Sequence, residues 1–164
     1  MDKESDNKSD IIGSLAGALA GALGGAIAIA VMELASAGAA YPLMAIPFAT
    51  SIVLVLGLPH SEPAQPRALI GGHMLATVIG LIAVKVAGPA PWVAALAVGI
   101  AMIAMHFTRS FHPPAGIDPL VVVTNNMSWG FLLAPVAVGA ILLALFAFLW
   151  HNLARRGSWP TRWW

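Results

Sequence analysis

The sequence predicts an all-α integral membrane protein. Of its 164 residues, 59% are hydrophobic and only 9% are charged, whereas soluble domains carry about 25% charged residues. Five apolar stretches are also each about as long as a membrane-crossing helix, which needs about 20 residues. Too few polar residues remain to cover a water-facing surface, so the composition favours a chain embedded in a lipid bilayer.

The predicted elements follow a polar tail over residues 1–10. The apolar spans are 11–35, 41–58, 68–87, 91–107 and 129–150. We expect a single transmembrane domain over residues 11–152 and a basic, tryptophan-rich tail over 153–164. Three tryptophans of that tail suit the interface between lipid and water, namely Trp159, Trp163 and Trp164.

A sixth apolar segment lies between Arg109 and Ser128 and is interrupted by prolines. The positive-inside rule indicates whether it crosses. If the chain crosses the membrane five times, four of its eight lysines and arginines lie on each side. If it crosses six times, only Lys85 lies on the outer side. Residues 112–126 are long enough to cross the bilayer if about five of them are extended and the next ten or so are helical. The sequence therefore predicts six membrane segments with both termini cytoplasmic, in a bacterial inner membrane.

The second and the fifth segment resemble each other. PFATSIVLV begins at Pro47 and PAGIDPLVVV begins at Pro114, which aligns Ser51 with Asp118. The order of span, proline-broken span and span occurs twice, over about 11–88 and 91–152. A repeat of three spans must be inverted, and transporters of this plan form their substrate site where the broken helices meet. The two predicted breaks are therefore candidates for a permeation path.

The string FHPPAG supplies the most specific site residues. Consecutive prolines remove backbone donors, a helix after them would offer free N–H groups to an anion, and a histidine can change its charge near neutral pH. A capped helix break at the interface is the alternative interpretation. The predicted pore residues of this string are His112, Pro113, Pro114, Ala115 and Gly116.

FHPPAG after TRS, the upstream PFATSIVLV and the stretch AQPRALIGGH over 64–73 resemble the HPP family of membrane proteins. The resemblance runs from about residue 41 to the C-terminus. Family members usually have glycine in place of Ala49 and small residues in place of Ile117, Asp118 and Pro119. The resemblance implies a compact set of spans. It also makes nitrite the candidate substrate, because plant relatives are implicated in nitrite transport into chloroplasts.

Basic residues near the breaks favour an anionic substrate. Arg109 and His106 lie one helical turn apart, just before His112. His73 lies inside the third span, where a polar side chain normally faces the bundle interior. For Arg109 the alternative is a topology marker that extends to the interface, and for His73 it is an interhelical hydrogen bond.

The remaining predicted site residues lie on the second and fifth segments. Pro47, Thr50 and Ser51 are expected to line the opposite half of the path. Asp118 is expected to cap its helix or to pair with Arg109 or His112. A role in proton transfer during anion/proton symport is the alternative for Asp118.

Glycines recur every fourth residue on the first span and make one smooth helix face. Such a face lets another backbone approach closely, either within the chain or in a second copy. We expect a homo-oligomer because the chain is small. The packing residues are Gly13, Gly17, Gly21 and Gly25.

Several function classes find no support in the sequence. There is no cysteine, and the histidines show no HxxxH or HExxH spacing, so no metal, cofactor or enzyme activity is predicted. A net charge of +1 does not indicate a nucleic-acid partner. The predicted function is passage of a small inorganic anion through a channel-like path. A non-transporting scaffold or signalling module that acts through its basic tail is the alternative.

Overall fold

The structure, a computed structural model, describes residues 3–37, 45–154 and 157–163. Its described part is built from helices without a β-strand, which confirms the predicted all-α class. The six α-helices are α1 (Lys3–Ala37), α2 (Ala45–Gly57), α3 (Pro66–Ala87), α4 (Pro91–Phe107), α5 (Asp118–Thr124) and α6 (Val138–Ala154). Short 3₁₀ turns cover Glu62–Ala64 and Pro113–Ile117, and a wider helical turn covers Leu132–Ala137.

The helices are long and apolar enough for a membrane protein. Ile11–Leu34, Pro66–Ala87 and Leu132–Leu153 could each cross a bilayer, and Pro47–Gly57 and Pro91–Phe107 are shorter apolar helices. Prolines stand at the first position of α3 and α4, where the missing N–H costs no hydrogen bond. The polar N-terminal residues are already helical from Lys3, so α1 begins earlier than the apolar pattern predicts.

The contacts show that consecutive segments alternate in direction. A Cβ on Gly21 would lie 2.7 Å from the carbonyl oxygen of Leu56, and one on Gly25 would lie 3.9 Å from Cγ2 of Ile52; because the two contacts occur in opposite order along the helices, α1 runs against α2. The segment that holds α5 follows α3 in the same direction, because Gly71 faces Ser110 and Gly80 faces Pro119. The end of α4 thus lies near the start of α3, and the end of α5 lies near the end of α3.

Three expectations about helix breaks are wrong. Pro47 lies in the first turn of α2, where proline is tolerated, so it does not interrupt that helix over the described residues. The last span is interrupted instead, since Ala134 has non-helical angles (φ −134°, ψ 117°) beside Pro135. In the fifth segment the stretch expected to be extended is mostly a 3₁₀ turn (Pro113–Ile117), and seven α-helical residues follow it rather than about ten.

The apolar core has two main clusters, which we call the two apolar bodies. Each body contains helices from both halves of the sequence. One cluster joins α1, α2 and α6 through residues such as Ala28, Phe48 and Leu143. A second joins α3, α4 and α5, with Leu81 and Val122 at its centre. The third helix of each sequence half therefore packs on both bodies: α3 also contributes Leu69 to the first cluster, and the turn before α6 contributes Val136 to the second. An inverted repeat stays a prediction, with which the alternating directions agree.

Glycines on α3 allow the interrupted fifth segment to approach. A Cβ on Gly72 would lie 2.7 Å from the Cβ of His112, and one on Gly80 would lie 2.8 Å from the Cα of Pro119. Real Cβ atoms do not approach other atoms this closely, so a side chain at either position would push the segment away. These two glycines set the depth at which His112 and Asp118 enter the core.

The predicted glycine ladder on α1 is only half used within the chain. Gly21 and Gly25 face α2, whereas a Cβ on Gly13 or Gly17 would have no neighbour within 4 Å among the described residues. Leucines and isoleucines cover much of the outer face of α1 and are exposed, as expected for a lipid-facing helix. Self-association through this helix stays a prediction.

One tryptophan does not lie where the sequence predicts. Trp159 is 1% exposed and belongs to the apolar cluster of α1, α2 and α6. The carbonyl oxygen of Trp159 accepts a hydrogen bond from Asn152 Nδ2. Gln65 Oε1 accepts hydrogen bonds from the backbone N–H groups of Thr161 (2.9 Å) and Arg162 (3.3 Å). The C-terminal segment is thereby folded back onto the loop between α2 and α3, and Trp159 is a core residue rather than an interfacial anchor.

Candidate functional site

Four buried polar side chains meet between the two apolar bodies, and we name them the polar cluster. They are Ser51 from α2, His73 from α3, His112 from the segment before the Pro113–Ile117 turn, and Asp118 from α5. All four are 0% exposed. Buried polar groups are costly unless they are hydrogen-bonded to one another, so four of them in an apolar bundle mark a candidate functional site.

The polar cluster is a continuous chain of hydrogen-bonding atoms. Ser51 Oγ lies 2.8 Å from His73 Nε2 and 2.9 Å from His112 Nε2. The other ring nitrogen of His73, Nδ1, lies 2.8 Å from Asp118 Oδ2. At the far end, His112 Nδ1 donates to the carbonyl oxygen of Pro63 over 2.7 Å. Thr77 Oγ1 donates to Asp118 Oδ2 over 3.2 Å.

Local sequence explains how each group reaches this point. The residue before a proline is held out of the helical region, and His112 is extended accordingly (φ −127°, ψ 97°). Its ring therefore enters the core instead of continuing a helix along the surface. Asp118 lies in the first turn of α5, and Ser51 and His73 come from uninterrupted helix.

Two aromatic contacts fix the histidine rings. The ring centroids of Phe48 and His73 are 4.7 Å apart, and those of His73 and His112 are 5.0 Å apart. Phe48 in turn fills a notch at Gly139, where a Cβ would lie 2.5 Å from Phe48 Cε2. The position of His73 is thus tied to the packing of α2 against α6.

The partner of Asp118 differs from the predicted one. The sequence predicts a pair with Arg109 or His112, whereas the structure pairs Asp118 with His73. Asp118 Oδ1 is buried and has no hydrogen-bond partner among the described residues. The expectation that Asp118 caps its helix is wrong: Asp118 is the first residue of α5, but no side chain of the described residues caps that helix, and the carboxylate contacts His73 and Thr77 instead.

A basic depression, which we name the mouth, opens at the end of the bundle that carries the α2–α3 loop. Three guanidinium groups and one carboxylate line it, from Arg67, Arg109, Arg162 and Glu62. Arg67 Nη2 donates to the carbonyl oxygen of Thr108 over 2.7 Å. The excess of positive charge is of the sign that attracts anions.

The mouth lies beside the outer end of the polar cluster. An adjoining depression of about 460 Å³ is lined by Glu62, Pro63, His106 and Arg109, among others. Pro63 is the residue whose carbonyl oxygen binds His112. One residue therefore separates the basic surface from the buried histidines. Lys85 lies at the other end of α3, 18 residues or about 27 Å from Arg67 along the helix.

The other predicted site residues fall outside the polar cluster. Thr50 and His106 are exposed. The carbonyl oxygen of Pro47 lies 3.4 Å from Ser51 Oγ, longer than an ordinary O–H···O hydrogen bond, so Pro47 does not compete for the Ser51 hydrogen. Ala115 is buried against α3 and α4, and a Cβ on Gly116 would have no neighbour within 4 Å in the part of the chain that the structure describes.

Sequence reasoning missed Phe48, Thr77 and the carbonyl group of Pro63. Thr77 is four residues after His73, which places the two side chains on one face of α3. That spacing is a signal that could have found Thr77. Phe48 and Pro63 carry no such signal, because their roles depend on contacts between distant parts of the chain. Within the described residues, no group of three histidine or acidic side chains is arranged to hold a metal ion.

Apolar helices, a lipid-facing surface and a buried polar cluster together define an integral membrane protein. Comparison with protein families matches residues 11–160 to the transmembrane region of the HPP family. The chain belongs to the HPP family, as its sequence motif predicts.

Two transmembrane proteins of Dictyostelium discoideum resemble the chain. They are 40% and 38% identical to it over 126 residues. Each alignment covers 71% of this chain but only 40% and 44% of the respective relative. The chain thus spans less than half the length of the curated relatives it matches. No solved structure matches it.

Proposed function

We propose that this protein carries a small inorganic anion across the membrane, with nitrite as the first candidate from the family resemblance. The single observation that supports this proposal is the position of Pro63, which lines the depression beside the basic mouth and accepts a hydrogen bond from buried His112. Arginines at an entrance raise the local anion concentration. Buried N–H and O–H donors further in lower the cost of stripping water from the anion.

The route proposed for the anion is the seam between the two apolar bodies. Ser51 lies on α2, a helix of the first body, whereas His73 and Asp118 lie on α3 and α5 of the second. The four side chains are fully buried, so the bodies must part for an anion to pass. Rocking of two bodies around a central site is a common plan in transporters.

The orientation proposed for the chain places the mouth at the cytoplasmic face. Arg67, Arg109 and Arg162 line the mouth, and Lys85 lies at the opposite end of α3. An excess of lysine and arginine marks cytoplasmic loops. A bacterial inner membrane and cytoplasmic termini remain predictions.

The test is anion flux into proteoliposomes that contain the purified full chain. We expect nitrite to enter faster than into empty vesicles, and nitrate, formate and chloride establish selectivity. His112→Ala is expected to abolish flux while the protein remains folded. His60→Ala, an exposed histidine of the α2–α3 loop, is the matched control and is expected to keep it. Absence of flux for all four anions would reject transport and favour the scaffold alternative.

A second candidate function comes from the order of atoms in the polar cluster. Ser51 Oγ, His73 Nε2, His73 Nδ1 and Asp118 Oδ2 follow one another as in a serine hydrolase triad. A hydrolase also needs free N–H groups for the oxyanion. Ser51 lies inside α2, where backbone N–H groups are bonded within the helix, and its hydroxyl is shared with His112. These features favour transport.

A fluorophosphonate probe separates the two functions. It labels a serine that a histidine activates as a nucleophile. We expect no labelling of the purified protein at Ser51. Labelling that Ser51→Ala removes would favour the hydrolase and require a route for substrate to this residue.

A further inference from the structure

The polar cluster needs one proton more than its uncharged histidines and hydroxyl supply. Four contacts link Pro63 O, His112, Ser51, His73 and Asp118 in series. Each contact requires one hydrogen between its two heavy atoms. Neutral His112, the Ser51 hydroxyl and neutral His73 contribute one hydrogen each, so a fourth must come from elsewhere.

The direction of these bonds is fixed from the Pro63 end. A carbonyl oxygen only accepts, so the hydrogen of neutral His112 must be on Nδ1. His112 Nε2 then accepts from Ser51 Oγ, and Ser51 Oγ accepts from His73 Nε2. His73 Nδ1 is left bare opposite Asp118 Oδ2, 2.8 Å away. The fourth hydrogen must therefore lie between His73 and Asp118.

We propose that the polar cluster holds one transferable proton, and that this proton crosses the membrane together with the anion. This inference rests on the proposed anion passage and names its coupling. With the proton present the polar cluster is neutral overall, either as Asp118 acid with neutral His73 or as carboxylate with imidazolium. Without it, the polar cluster carries one buried negative charge and one contact joins two acceptors.

The charge of the unprotonated polar cluster explains the coupling. An anion entering the seam would meet a buried carboxylate, and like charges repel strongly where water is absent. In the described part of the chain, no lysine or arginine pairs with Asp118. Thr77 and His73 from α3 contact its carboxylate, and the buried residues that α4 contributes to the neighbouring cluster with Ala115, namely Ala101 and Met105, are apolar. Protonation is therefore the means of removing this repulsion.

The unpartnered oxygen of Asp118 supports the protonated form. Asp118 Oδ1 is buried without a donor among the described residues. An ionised carboxylate with a bare buried oxygen is much more costly than a neutral carboxylic acid. Helix α5 presents no basic side chain along its seven residues that would compensate for it.

The polar cluster can also pass the proton along its length without changing the total charge. Asp118 Oδ2 gives its proton to His73 Nδ1, and His73 Nε2 gives a proton to Ser51 Oγ. Ser51 then gives its original proton to His112 Nε2. The products are the Asp118 carboxylate and a His112 imidazolium, with one bond to hydrogen broken and one formed at each transfer. This moves positive charge toward the mouth, where an incoming anion would meet it.

The test measures proton and anion movement together in proteoliposomes. A nitrite gradient is imposed without a pH gradient, and an enclosed pH-sensitive dye reports the lumen. We expect the lumen to acidify in step with nitrite entry, beyond the change in empty vesicles. Asp118→Asn is expected to lose this acidification. Glu33→Gln, a carboxylate-to-amide change at an exposed residue of α1, is the matched control and is expected to keep it.

The outcomes separate this inference from the proposed function. Nitrite entry with no acidification, driven by membrane potential alone, would overturn proton coupling but leave anion passage intact. No anion entry at all would overturn both. Acidification that persists in Asp118→Asn would overturn the assignment of the proton to the polar cluster.

A spectroscopic measurement covers the case in which Asp118→Asn does not fold. Infrared spectroscopy of the wild-type protein distinguishes a carboxylic acid from a carboxylate, and ¹⁵N NMR distinguishes neutral imidazole from imidazolium. We expect either a buried carboxylic acid or one imidazolium at the pH of transport. A carboxylate together with two neutral histidines in the polar cluster would overturn the proton count.

Discussion

Ser51 and Asp118, which the alignment of the two proline-led segments pairs with each other, contact opposite nitrogens of one imidazole ring, that of His73. Ser51 Oγ lies 2.8 Å from Nε2 and Asp118 Oδ2 lies 2.8 Å from Nδ1. The aligned residues therefore converge on one point from segments that run in opposite directions. This convergence links a weak sequence similarity to the centre of the candidate site.

The pair of His73 and Asp118 should behave as one unit in stability measurements. His73→Leu and Asp118→Leu each leave a buried partner unpaired, which costs about 3–5 kcal/mol. The double variant removes both polar groups, so its cost should be lower than the sum by about 1–3 kcal/mol. Unfolding in mixed detergent micelles, followed by tryptophan fluorescence, gives the four free energies. Additive costs would contradict the contact.

Two glycines of the α1 ladder should respond differently to alanine. At Gly21 a Cβ would lie 2.7 Å from a backbone oxygen of α2, whereas at Gly17 it would have no neighbour within 4 Å. We expect Gly21→Ala to reduce the free energy of unfolding by about 1–3 kcal/mol. Gly17→Ala should leave it unchanged or raise it by up to about 1 kcal/mol. Equal effects would contradict the packing of α1 on α2.

The same experiment on α3 tests the depth of the interrupted segment. Gly80→Ala would bring a Cβ to 2.8 Å from the Cα of Pro119. We expect it to lower both the free energy of unfolding and anion flux, because it moves Asp118 away from His73. Gly99→Ala on α4, where a Cβ has no neighbour within 4 Å, is the control for helix propensity. Flux that is insensitive to Gly80→Ala would separate this packing from the function.

The mouth should act through its charge. Arg109 has a positive φ of 54°, so Arg109→Gly removes the charge without imposing backbone strain. We expect anion flux to fall about two- to tenfold at low ionic strength and less at high ionic strength, because salt screens exposed charges. Lys85→Gln removes a positive charge at the other end of the bundle and is the control that shows whether the effect on flux depends on the mouth. A fall that does not depend on salt would argue against electrostatic attraction.

Orientation can be measured because the chain contains no cysteine. His60→Cys lies in the α2–α3 loop near the mouth, and Ser128→Cys lies in the turn after α5; both original side chains are at least partly accessible. In right-side-out vesicles we expect a membrane-impermeant maleimide to label only Ser128→Cys. Labelling of both positions from one side would refute the six-segment arrangement.

How much the sequence could predict depended on whether a feature is local. The spans, the extended His112 and the burial of His73 follow from hydropathy and from the chemistry of proline and histidine. The break at Ala134 is equally local, because Pro135 follows it, but this signal was missed. The burial of Trp159 does not follow from local sequence, because it arises from packing against distant helices. The partner of Asp118 was missed for the same reason. Only when three segments that are distant in the sequence have packed together does His73 lie closer to Asp118 than Arg109 does.

The exchange of α3 and α6 between the two bodies has a consequence for biogenesis. When α3 has been synthesised, the helices against which it packs, α4 and α5, have not yet been made. The last helix, α6, completes the body that α1 and α2 began. Each half of the polypeptide alone therefore leaves uncovered the apolar surface of its third helix that packs against the other half. A chain cut in the turn between α3 and α4 should therefore need both fragments in the same membrane before either becomes resistant to proteolysis.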